Sequence, residues 1–265
     1  MRNEPGDETS DEGEGAGQDE VPQIDLRVPG PWRAPEELDE ALARTGSAYD
    51  VDEQGMVHRA TGRRFDVGVS PHDDEIHEVF AGAGRMSDEE VEQIASHAVK
   101  VHVSGPGGSP EAARAVMDAA TALVRAGGYG VMVDNSGNCH GVDDWLALAG
   151  DTQPGGLYWA YVSVTGARDE VFSAGMHCLG FRDAEILDPE SLGAPDVNAV
   201  GFFLHNFLGY VYQSGNPIID GDAMGDEETA MFRARAQPCT RFSVGSPWHN
   251  PYGVWRLEAI DDDEE

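Results

Sequence analysis

Two dipeptides, Cys139-His140 and His177-Cys178, carry the side chains that ligate zinc, and four such ligands close a tetrahedral site. Neighbours on a strand point to opposite faces, so each dipeptide offers one ligand, and no C-x2-C spacing accompanies them. The same residues could supply a nucleophile and its base, Cys139 or Cys178 beside His140 or His177, given a lowered thiol pKa and a base within reach. A third chemistry belongs to the carboxylates. Asp183, Glu185 and Asp220 could share a site for acid–base work or hold a hard cation. Asp220-Gly221-Asp222 reads as a fragment of a calcium loop, but the remaining ligands and the distal Glu are missing. A turn formed by the Asp side chain and the Gly backbone explains it as well. In a chain with 49 acidic residues some carboxylates fall close together by chance. The expectation is therefore no cofactor and no resident metal. His177, Asp183, Glu185 and Asp220 stand as the catalytic candidates, and Cys139, His140, His177 and Cys178 as the metal candidates. Trp248 and Tyr252, in the loop Trp248-His249-Asn250-Pro251-Tyr252, are expected as exposed interface anchors.

Positioning these residues falls to a mixed α and β architecture. Val99, Val101 and Val103 alternate with polar neighbours, the period of a half-buried strand. Gly105 to Gly108 ends that strand, and Ser109-Pro110-Glu111 opens a helix with a cap, a first-position proline and an acid at the positive dipole end. The helix runs over 109–126 and a second strand follows at Gly130–Val133. Residues 98–136 thus predict a βαβ unit with parallel strands. The Gly105–Gly108 loop matches neither the dinucleotide nor the P-loop pattern, so it reads as a turn. A second main helix is expected over 195–213, its stripe of Val200, Phe203, Leu204, Phe207, Leu208 and Val211 too wide for one face and hence largely buried. Between them, Leu157 to Val164 reads as a buried apolar strand, and Val171 to Gly180 as another strand or a strand entering a turn.

Leu26 to Trp32 reads as a short extended anchor, Pro35 to Arg44 as a helix, and residues 48–59 and 64–69 as hairpin strands. Ser87 with Glu90 forms a capping box opening a helix to Ala98. Arg241–Val244 and Val254–Glu258 read as late strands. Trp145, Trp159, Phe202, Phe203 and Tyr212 are expected in the core. The predicted fold is α+β: one central mixed sheet, with the two main helices packed on it. Residues 1–22 are expected to be a disordered acidic tail, 23–258 a single domain and 259–265 a second acidic tail.

Four segments, SHAVKVHVSGPGGSPEAAR, GYGVMVDNSG, AGMHCLGFRDAEILDP and PIIDGDAMG, in this order resemble the domain of unknown function 4261, found mainly in bacteria. The resemblance covers roughly 65–258. Its matching positions are His97, Gly175-Met176, Gly180, Asp183, Glu185, Asp220-Gly221 and Gly225. Ala223 stands where the family's last turn usually has a Thr, so no hydroxyl chemistry is carried over there. The resemblance implies no activity.

Composition narrows the function classes. The net charge is −32, Lys100 is the sole lysine, and eight acids crowd residues 1–20. Such charge repels nucleic acid and anionic membranes, both of which are bound through cationic contacts. Three cysteines make no disulfide framework, and no signal peptide or membrane-length apolar run is present, so a cytoplasmic location is expected. The leading expectation is a soluble, non-catalytic binding or interaction module, in one form an immunity-type protein that neutralises a basic partner protein. The alternative is a hydrolase or metal-dependent enzyme using the carboxylate, His and Cys residues. A third reading makes the acidity an adaptation to a salt-rich cytoplasm.

Overall fold

In a computed structural model, residues 21–167, 169–192, 196–225 and 231–260 are described. The expected acidic tails lie almost wholly outside them. The chain begins with β1 (Gln23–Gly30) and α1 (Pro35–Arg44). A hairpin β2 (Tyr49–Asp52) and β3 (Gly55–His58) leads to β4 (Arg64–Pro71). Next come α2 (Ile76–Gly82) and α3 (Asp88–Ala95), the latter opened by the expected Ser87–Glu90 capping box. β5 (Val99–Pro106), α4 (Pro110–Arg125) and β6 (Gly130–Val133) follow, with the Ser109 hydroxyl accepting from the Ala112 amide as N-cap. Then β7 (Asn138–Gly141), α5 (Val142–Gly150) and α6 (Pro154–Tyr161) complete the first half. The second half holds β8 (Ser163–Ala167), β9 (Glu170–Ala174), a 3-10 turn Met176–Leu179 and β10 (Asp183–Ile186). A second 3-10 turn, Pro189–Leu192, precedes α7 (Val197–Gln213), which Asp196 caps; β11 (Ala223–Met224), β12 (Phe232–Gln237) and β13 (Val254–Ala259) end the chain.

The class is α+β, but the strands form two sheets where one was expected. The first has seven strands in the order β2-β3-β4-β5-β1-β6-β7, every neighbouring pair antiparallel. The second has six, ordered β11-β12-β13-β10-β9-β8, with β10 and β13 parallel. The central unit is a split βαβ. β5 and β6 run the same way, because each is antiparallel to β1, yet β1 lies between them. The stretch read as a short anchor is thus an inner strand, with Ile24, Leu26 and Val28 fully buried. α4 packs over it with Val116, Met117, Ala120 and Leu123, in one core that also takes in Val101, Val103, Val131 and Val133.

Two strand expectations fail, those for residues 157–164 and 241–244. Leu157–Val164 is mostly helix, and an apolar run buried all round shows no alternation that separates the two forms. Its helical turn of 100° per residue puts Tyr158 and Tyr161 inside and swings Trp159 outward to 44% exposure. Phe202 likewise leaves the core, 68% exposed, because it sits opposite Leu204 around α7. Val171–Gly180 takes the second of its two expected forms, a strand that ends at Ala174 and enters a 3-10 turn. Residues 241–244 lie in a loop, and the partner of β13 is β12, whose Phe232, Ala234 and Ala236 alternate with Arg233, Arg235 and Gln237.

Candidate functional site

The 3-10 turn Met176–Leu179 lies at the seam of the two sheets. It is bracketed by Gly175 and Gly180, at φ 104° and 91°. A side chain at Gly175 would put its Cβ 2.0 Å from the Tyr161 carbonyl oxygen, and one at Gly180 would meet the Gly108 carbonyl oxygen at 2.5 Å. Only glycine fits either position. The Gly108 amide in turn donates to the Cys178 carbonyl at 3.0 Å, tying the loop before α4 to the turn. So the Gly105–Gly108 loop is a packing joint.

This joint buries His177 and Cys178 and sets β10 beside them. Asp183, 3% exposed, accepts from the Ser173 hydroxyl (2.8 Å), the Met176 amide (3.2 Å) and Asn250 Nδ2 (2.6 Å). Its Oδ2 lies 3.8 Å from His177 Nδ1, which has no hydrogen-bond partner of its own. On the other side of the ring, Nε2 faces Asn135 Nδ2 at 3.2 Å. Asn135 stitches the first sheet in: Oδ1 accepts from the Asp25 amide, and Nδ2 donates to the carbonyls of Gln23 and Pro247. Burial works against a charged His177, but the neighbouring Cys178 and the Asp183 carboxylate outweigh it, and the pKa is pushed up to about 10. His177 also borders a cleft of about 260 Å³, with Gln23, Asp25, Ser246 and His249 around it.

The other candidates do not join this centre. Glu185 forms ion pairs with Arg256 (2.8 Å) and Arg241 (3.5 Å), and Arg241 also grips Glu170 with two contacts of 2.7 Å while lying 4.1 Å above the Phe172 ring. Asp220 is exposed and its Oδ1 accepts from the Ala236 amide, which ties its segment to β12; the local turn bond is made by Asp222, whose Oδ2 accepts from the Ile219 amide. Cys139 is buried with Ile76, Phe80 and Ile94, and burial raises its thiol pKa to about 12. His140 bridges Asp144 (2.6 Å) and the Ala160 carbonyl (3.0 Å), holding β7 to α5 and α6. Among the described residues no three His, Cys, Asp or Glu side chains group as a metal site. Trp248 is half-buried, its ring 5.3 Å from that of Phe242, while Tyr252 is 36% exposed.

Asn135, Ser173, Asn250, Arg241 and Arg256 escape sequence reasoning. Asn250 and Asp183 are 67 residues apart, and no spacing announces such a contact.

The fold defines an α+β protein of two sheets joined through a buried polar centre. Within it, residues 172–258 match the profile of the family described as a domain of unknown function, DUF4261. The match begins at Phe172, inside β9, and takes in β10, β11, β12 and most of β13, while β8 lies before it. No curated protein and no solved structure matches the chain. Among the described residues no helix is long and apolar enough to cross a membrane.

Proposed function

We propose that this chain is a non-catalytic binding protein that engages a basic protein through its acidic surface, with immunity-type neutralisation as the concrete form. The observation that carries the reading is the internal commitment of the candidate groups. Asp183 accepts three hydrogen bonds from its own chain, Glu185 is paired with two arginines, and the Cys139 thiol is held far from its reactive form. Reactive groups kept for a substrate are left accessible to it; these are used up in holding the fold. Recognition then falls to the surface. The segment 73–92 carries eight carboxylates against Arg85, and Asp74, Glu75, Glu78, Asp88, Glu89 and Glu92 are exposed. Such a face attracts a cationic partner and speeds its association.

Capture from native cell extract tests this, with the wild-type chain beside the variant Glu78→Gln/Glu89→Gln/Glu92→Gln. A basic protein held at low salt, released as salt rises and lost from the variant is expected. Equal capture by the variant, or retention of no basic protein, overturns the reading. The enzyme alternative is favoured by the cleft beside His177 and by the buried His177 Nδ1 that has no hydrogen-bond partner. Turnover of an ester, amide or phosphoester substrate that His177→Asn abolishes would put that alternative in its place.

A further inference from the structure

α6 and α7 form a surface unlike the rest of this molecule. Neither PGGLYWAY nor VNAVGFFLHNFLGYVYQ contains an Asp, Glu, Lys or Arg, in a chain where a quarter of residues are charged. Their outer face still shows Phe202 at 68% exposure and Trp159 and Tyr210 at 44% each. Trp159 lies 5.0 Å from the ring of His205, so the aromatic groups are contiguous across the two helices. Burial, then the charge of Arg85, draws the His205 pKa down, which disfavours a charged ring there. Gly209 shares this outer face. A Cβ there would meet nothing within 4 Å, so no contact inside the chain requires a glycine at this mid-helix position.

Charge and spacing together select the occupant. A basic partner needs carboxylates, and this face has none. Two copies carrying −32 each repel one another least where no carboxylate lies between them. Phe202 and Gly209 are seven residues apart, two turns and about 10 Å along the axis, on one face of α7. A two-fold axis running between the paired helices, level with the midpoint of His205 and Asn206, sets Phe202 of each copy against Gly209 of the other. We propose that the α6–α7 face is a homodimer interface in which antiparallel α7 helices seat Phe202 in the gap at Gly209. The pattern is self-complementary, as an isologous contact must be, and aromatic and charge-free, as interface centres are.

Sedimentation of the full chain over a concentration series tests it, between about 0.05 and 1 M salt, where the Debye length shrinks to about 3 Å. A dimer whose Kd tightens about ten-fold with salt is expected, the reverse of the trend for a basic partner. Phe202→Glu and Gly209→Leu, both at open positions, should weaken it by about ten-fold or more while leaving the circular dichroism unchanged. A chain that stays monomeric throughout, or a dimer that both variants leave intact, overturns the proposal.

Discussion

His97 shows how one residue makes stability depend on pH. Its Nδ1 donates to the Ile94 carbonyl at 2.8 Å and its Nε2 accepts from the Asp73 amide at 3.1 Å, so the neutral ring is fully used. Burial foremost, then His72 and Lys100, lowers its pKa from 6.5. A group lowered in the folded state contributes stability above its unfolded pKa and loses it as pH falls through that value. Denaturant unfolding should therefore show stability declining as pH drops below 6.5, and His97→Gln should flatten that decline. His177 has the opposite sign. Raised to about 10, it contributes fully below 6.5 and loses its contribution as pH climbs toward 10. NMR titration should place its ring near that value and find it lower in Asp183→Asn. Both residues were visible in the sequence, His97 through the family resemblance and His177 as a candidate ligand. Their partners were not, because Asp73 and Asn135 reach them only through the fold.

At the scale of elements, turns and caps decide what is tolerated. Gly175 separates β9 from the 3-10 turn at φ 104° with a carbonyl 2.0 Å from any added Cβ, so Gly175→Ala should cost about 3 kcal/mol or more, measured by urea unfolding. Ser109→Ala, which removes the α4 cap, should cost about 1 kcal/mol in the same experiment. Helices with clear ends were legible: α1, α3, α4 and α7 each carry a cap, a first-turn proline or a one-sided apolar stripe. α6 was not, because Leu157, Tyr158, Ala160 and Tyr161 are all buried and leave no period to read. β12 was legible in principle from its alternation of Phe232, Ala234 and Ala236 with Arg233, Arg235 and Gln237. Its small residues hid the pattern. The insertion of β1 between β5 and β6 is a long-range pairing, 79 residues from Asp25 to Ser104, and no local signal encodes it.

The whole molecule combines a strong net charge with a seam of buried polar contacts. At −32 the folded chain repels itself, and salt screens that repulsion. Added sodium chloride should raise stability by about 1 kcal/mol, or roughly 2–4 °C in melting temperature. The seam is where the two sheets depend on each other: Asp183 and Asn250 from the second, Asn135 and the Gln23–Asp25 backbone from the first, with His177 between them. The central claim is that this centre holds the molecule together and is not kept for chemistry. The unfolding free energy of Asp183→Asn tests it most directly. The account predicts a loss of about 3 kcal/mol, since one of three donors would face an amide in a buried site. Functional carboxylates behave differently, because a site poised for a substrate is strained and its removal leaves stability equal or higher. An Asp183→Asn chain as stable as the wild type, or more so, would contradict the account.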